Sequence, residues 1–351
     1  MDDFERDLAT LLRSAVPAPP AEIDPVEISR TPRRRPARAV GAPLLAAVAV
    51  AAVAISVIAV VQAGRGGNSP PPPPTGAIRT ISPPISTGQA VILTPDLTLE
   101  VVDEQGATVR RLGTVHMRVG AEVDAIDVSA DGRQVIVSIV NDHDFACSAT
   151  VYSVGDDGRL HRLFRGGAAT FSPDGTRVAY LQYARSGEFC YRTALAIRDL
   201  VNGSTIVLPL LGGRTLEGTP PDWPLNWSPD GTRLVYVGKD GVTLATTSDG
   251  QHYDQHTISS ERGLGSAFTS DEVLAVYTGC CTGPAQQVTA ISLSGAPAKP
   301  LFSLVSAMRS IRSDRGGQGL WLTTEQSPST LWRWDGTHLR SLPAQALITS
   351  G

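Results

Sequence analysis

Three stretches of the chain repeat one pattern: IDVSADGRQVIVSI from Ile126, ATFSPDGTRVAYLQ from Ala169 and LNWSPDGTRLVYVG from Leu225. Each reads as a short apolar strand, a Ser-x-Asp-Gly turn and a second, β-rich strand. The turn chemistry is legible: Pro173 and Pro229 fix φ near about −65°, Asp131, Asp174 and Asp230 hydrogen-bond back to the turn, and Gly132, Gly175 and Gly231 accept positive φ. Weaker copies follow at Phe268-Thr269-Ser270-Asp271 and Ile311-Arg312-Ser313-Asp314. The five marker aspartates are separated by 43, 56, 41 and 43 residues, and one further step of 43 back from Asp131 reaches Gly88, just before Ala90-Val91-Ile92-Leu93. Six units therefore fit between about Gly76 and Gly351. A period of this length with four short strands per unit is the signature of a β-propeller, whose blades cannot bury their faces alone and close into a ring. The expected fold class is all-β, a six-bladed β-propeller over 77–351. A sandwich or a solenoid is the structural alternative.

FSPDGTRVAYL and WSPDGTRLVYVG resemble the blades of TolB-like propellers, which are WD-repeat-like, and the resemblance runs over roughly 76–348. Blades one, five and six depart from the motif. The resemblance implies a propeller fold whose members serve as binding platforms, as non-catalytic gates beside hydrolase domains, and occasionally as lyases; fold alone does not choose among them.

Ahead of the repeats, Ala39 to Ala63 carries no charge, and Leu44 to Val61 is Leu, Ala, Val and Ile interrupted only by Ser56. At ~1.5 Å per residue that inner stretch reaches about 27 Å, the thickness of a bilayer's hydrocarbon. Residues 39–63 are expected to form one transmembrane α-helix. Arg30, Arg33, Arg34, Arg35 and Arg38 precede it and only Arg65 closely follows, so the positive-inside rule puts residues 1–38 in the cytoplasm. Cleavage after Val61-Gln62-Ala63 is the competing reading, although the region before the apolar run is long for a signal peptide. In either case the repeats are exported.

Within 1–38, Phe4, Leu8, Leu11 and Leu12 share one face of a short helix ending before Pro17, which either docks on a cytoplasmic regulatory partner or rests on the membrane. A short acidic helix, an Arg run and one span are similar to actinobacterial proteins that resemble anti-sigma regulators, though no zinc-binding His/Cys motif accompanies them here. Residues 64–76 form a Gly/Pro-rich linker, stiffened by the proline run from Pro70.

Net charge is −4, from 30 basic and 34 acidic residues, so no overall attraction to nucleic acid is expected. No G-x-S-x-G, H-E-x-x-H or Walker motif occurs. His252 and His256 would converge on a helix but fall in a strand-rich unit, and Asn141-Asp142-His143-Asp144 lacks the Gly and later Glu of a calcium loop. No catalytic residue, metal or cofactor is expected.

The four cysteines are more informative. Cys147 and Cys190 each lie 16 residues after their marker Asp, in equivalent hairpins of adjacent blades, and Cys280 and Cys281 fall in the corresponding hairpin of blade five. An even count in an exported chain points to disulfides, with a Cys147–Cys190 staple expected between blades and Cys280–Cys281 vicinal or free. The 56-residue interval holds an insertion from Gly212 to Pro224 on the same rim. Trp223, flanked by prolines, offers stacking there, and Arg214, Glu217 and Asp222 offer polar contacts, with His143 on a nearby loop. Alternatively Trp223 packs against Trp227 and seals two blades. The function expected is a membrane-anchored, extracytoplasmic, non-catalytic binding or sensing module for an unknown envelope protein or ligand. An enzyme acting on envelope glycans or peptides and a structural scaffold are the alternatives.

Overall fold

The computed structural model describes residues 77–350 except 142–147, 187–188, 212–214, 217–224, 239, 260–262, 279–285, 305, 316–318 and 325–328. The expected N-terminal helix, transmembrane helix and linker lie outside the described residues. Among the described residues no helix is long and apolar enough to cross a membrane.

The described chain is all strand and turn, in six antiparallel sheets. Blade one holds β1 (Ala90–Leu93), β2 (Thr98–Val102) and β3 (Thr108–Thr114); blade two holds β4 (Ala121–Val128), β5 (Val135–Asn141), β6 (Ser148–Val154) and β7 (Leu160–Arg165). Blade three holds β8 (Gly167–Phe171), β9 (Arg177–Ser186), β10 (Phe189–Asp199) and β11 (Thr205–Pro209), with β12 (Thr215–Leu216) added to β10. Blade four holds β13 (Asn226–Trp227), β14 (Arg233–Gly238), β15 (Gly241–Thr246) and β16 (Asp254–Ser259). Blade five holds β17 (Gly263–Ser270), β18 (Val273–Thr278), β19 (Gln286–Ser292) and β20 (Lys299–Leu304). Blade six holds β21 (Met308–Ser313), β22 (Leu320–Thr324), β23 (Thr330–Trp334) and β24 (Leu339–Gln345).

Within a blade the strands follow chain order from the axis outward, here called a to d. Blade one is the exception. Its innermost strand is β25 (Ile348–Thr349), which pairs antiparallel with β1 through Ile92 opposite Thr349 and Leu93 opposite Ile348. The inner strands β25, β4, β8, β13, β17 and β21 touch in that order and return to β25, closing the ring.

The repeated turn is built the same way three times. Ser129, Ser172 and Ser228 donate their hydroxyls to Asp131, Asp174 and Asp230 at 2.6, 2.5 and 2.5 Å. Each carboxylate also accepts a backbone N–H two residues on, and each glycine has φ of 69–70°. The weaker copies keep the aspartate and change its partner: Asp271 accepts the N–H of Asp230 in the preceding blade, and Asp314 pairs with Arg333 at 2.6 Å.

Six hydrophobic clusters fill the six junctions between neighbouring blades. Alternate residues of one strand serve opposite neighbours: Val91 and Leu93 pack toward blade two, Ala90 and Ile92 toward blade six. Inner strands buried on both faces read as continuous apolar runs for this reason, where a strand with one wet face would alternate.

Candidate functional site

The strands nearest the axis are largely apolar or small, but β4 carries Glu122, Asp124 and Asp127, β13 carries Asn226, and β21 carries Arg309 and Arg312; Asp124, Asp127 and Arg312 belong to one charged cluster. Arg192 on β10 and Arg315 just after β21 complete the set. Asp124, Arg192 and Arg312 are buried. Arg192 and Arg312 both act on the Asp124 carboxyl, Arg312 also acts on Asp127, and Asp127 acts on Arg315. Charges of alternating sign thus follow one another in the order Arg192, Asp124, Arg312, Asp127, Arg315.

Local geometry holds each one. Ala168 takes an unusual φ of 50° at the start of β8, and its N–H donates to Asp124, which also accepts the Tyr183 hydroxyl at 3.4 Å. The strain at Ala168 is offset by this hydrogen bond to a carboxylate. Asp127 Oδ2 accepts Thr170 Oγ1 at 2.8 Å and Phe171 N–H at 2.7 Å, tying blade two to blade three. Arg312 reaches across the axis to donate to Leu225 O at 3.0 Å, and Arg315 donates to Ile85 O at 2.9 Å and to Ser86 O. Burial pushes both aspartates above the usual carboxylate range, although the neighbouring guanidiniums pull the other way.

This column leads into a cavity of about 290 Å³ at the axis, lined by Asp127, Trp227, Arg312 and Arg315 and rimmed by the a–b turns at Ala130, Pro173 and Pro229. Asp314 also lines it, but its charge is engaged by Arg333. The guanidinium residues Arg312 and Arg315 stand on this lining beside Asp127. Three donor atoms of lining residues, Trp227 Nε1, Arg312 Nε and Arg315 Nε, are buried below the cavity surface without an acceptor among the described residues. Buried donors left this way cost about 1–3 kcal/mol each. The lining offers charge and hydrogen bonds, with no histidine or cysteine among its described residues, so it is equipped to hold a ligand.

Sequence reasoning pointed to the opposite rim, where b–c and d–a loops lie. Trp223, Arg214, Glu217, Asp222 and His143 lie outside the described residues, as do Cys147, Cys280 and Cys281. Cys190 is placed by its backbone in β10, opposite Arg185, because β9 and β10 extend past the length expected of that hairpin. Thr215 and Leu216 from the long insertion pair with Arg192 and Tyr191, making a fifth strand of blade three. His252 is exposed in a c–d turn and bonded to Asp249 at 2.6 Å, while His256 sits on the outer strand β16. No group of three potential metal ligands occurs among the described residues. The axial charges were missed although they left a signal: Asp124, Asp127 and Arg312 interrupt inner strands that are mostly apolar or small, as do Glu122 and Arg309 on the same two strands.

No protein-family model and no curated protein matches the chain. Among solved structures it is similar to TolB from Acinetobacter baumannii, with a TM-score of 0.52 and 14% identity over 75% of this chain and 65% of that one. A putative TolB from Agrobacterium tumefaciens gives a TM-score of 0.48 and 12% identity over 78% and 94% of the two chains. The tricorn protease gives 0.43 and 10% over 73% and 29%. The likeness to the Acinetobacter protein shows a TolB-like propeller fold.

Proposed function

We propose that the propeller is a binding module whose axial cavity takes an anionic group, the carboxylate or phosphate of a small ligand or of a partner's side chain or chain end. The observation that carries this reading is the two guanidinium residues, Arg312 and Arg315, on the lining of the axial cavity. Asp127 tempers the site: protonated, it leaves the cationic field unopposed, and ionised, it weakens it. On the sequence grounds given above, the module is displayed outside the cytoplasm on a single membrane span, and the binding is non-catalytic.

The test uses the full chain in nanodiscs of zwitterionic lipid, with succinate, inorganic phosphate and uncharged succinamide as probes and chloride as the ionic-strength control. Binding to the folded state raises the melting temperature by mass action. Succinate or phosphate is expected to raise it and succinamide is not, and Arg315→Gln, which removes one guanidinium from the lining, should reduce the shift. Equal shifts for all three probes, or none, would reject the anion site.

A further inference from the structure

Far from the axis, the face of blade two that looks toward blade one carries a groove of about 1050 Å³. It runs along the outer strand β7 from the d–a loop at Arg118 to the c–d turn at Arg159. β7 has 6 residues, so the groove's wall is about 20 Å long at ~3.4 Å per residue. Its floor is apolar, formed by Met117, Ile139 and Leu160, and its rim carries Arg118, Arg159, Arg162 and Arg165.

All four residues are exposed, and no hydrogen bond or ion pair of their guanidiniums occurs among the described residues, although Arg159 acts on the Asp157 carboxyl. The one acid on the lining, Asp157, is engaged by the Arg159 N–H and by His161 at 3.1 and 3.2 Å, hydrogen bonds that hold its carboxyl below the usual range. A protein with net charge −4 therefore gathers four exposed arginines around a lining that holds one acid among its described residues.

The backbone presents two of these arginines deliberately. Register slips between Val151 and Tyr152, which face Phe164 and Arg162, so Leu163 is an extra residue in the outer strand. Leu163 and Phe164 both turn inward, and Arg162 and Arg165, three apart, both turn out. Bulges re-aim side chains in this way. The same bulge occurs in blade five, where Val288 faces Phe302 and Thr289 faces Pro300. There the positions matching Arg162 and Arg165 hold Pro300 and Ser303, so the bulge does not require arginine.

The geometry points to a docking groove for an extended acidic segment of a partner protein, its carboxylates on the arginine rim and alternate apolar side chains on the Met117–Ile139–Leu160 floor. A bare phosphate polymer would meet the rim but leave the floor wet, which is why the acidic–apolar peptide is the occupant chosen. This surface is separate from the axial cavity and stands or falls without it.

Fluorescein-labelled (Glu-Leu)5, (Glu-Ser)5 and a polyphosphate of similar charge, titrated by anisotropy against the full chain in zwitterionic nanodiscs, test it. (Glu-Leu)5 should bind more tightly than either other probe. Arg162→Glu should weaken it about tenfold, whereas Arg340→Glu, the same charge change on the exposed outer strand of blade six, should alter it less than about twofold. Retention of binding in Arg162→Glu, an equal loss in Arg340→Glu, or equally tight binding of (Glu-Ser)5 or polyphosphate would overturn the proposal.

Discussion

A serine, an aspartate and a glycine make each a–b turn, and the three full copies differ in what surrounds the glycine. A Cβ on Gly175 would meet nothing within 4 Å, while one on Gly132 would run into the Ile85 carbonyl and lie 2.8 Å from Arg315 Nη1. Both have φ of 69°. Gly175→Ala should therefore cost only the left-handed backbone penalty, about 1 kcal/mol, and Gly132→Ala that plus steric displacement, about 3 kcal/mol. Denaturant melts of the two variants would show the difference, and equal losses would contradict it. The aspartates fix an acid response as well. Burial alone would raise Asp131, Asp174 and Asp230, but the serine hydroxyl and backbone N–H of each turn outweigh it and hold them below 3.8. A depressed carboxyl stabilises the fold above its unfolded value and loses that contribution as pH falls through its folded value. Each is solvent-screened and contributes only a few tenths of a kcal/mol, so the triple Asp→Asn variant should be about 1 kcal/mol less stable at pH 7 and approach the parent at pH 2. A constant gap across that range would refute the assignment. Asp124 and Asp127 run the other way, favouring the folded state when protonated and losing that as pH rises through their raised values.

The strands explain what was readable in advance and what was not. Ser-x-Asp-Gly was legible because its hydrogen bonds are local, made within five residues, and the same residues make them wherever the turn recurs. The apolar runs of inner strands were legible as strands because both their faces are buried between blades. Nothing local announces that β25 belongs to blade one, since two short residues, Ile348 and Thr349, find their partners in Ile92 and Leu93 on the far side of the sequence. Nor could the composition of β7 reveal the bulge that turns Arg162 and Arg165 to one side, because that depends on register with β6. The closing strand has its own dependence: the buried Val91 N–H donates to Ser350 Oγ at 2.8 Å, and the Ser350 N–H donates back to Val91 O at 2.8 Å. Ser350→Ala leaves the first of these donors without a partner at the seam, an expected loss of about 1–3 kcal/mol. Thermal melts would read it, and an unchanged midpoint would mean the seam is not closed by this residue.

For the molecule as a whole, the two cationic surfaces differ in kind. The axial cavity is small, countered from within by Asp127, and suited to a single charged group; the groove on blade two is long and exposed, with four arginines against one acid among its described lining residues. The proposed topology puts both outside the cytoplasm. Protease added to intact spheroplasts should then digest the propeller while sparing residues 1–38, and protection of the propeller would reverse the orientation.

Closing blade one with β25 also imposes an order in time. A chain emerging from a ribosome or a translocation pore exposes β1 long before residues 348–349 are available, and for that interval its inner edge is an unpaired apolar strand. Such edges recruit other strands. The ring cannot be completed piecemeal, blade after blade, because the first sheet is finished by the last one's successor. Whatever shields the nascent chain must therefore do so for the whole passage of the propeller, and every partly emerged ring is an incomplete cylinder with two open ends.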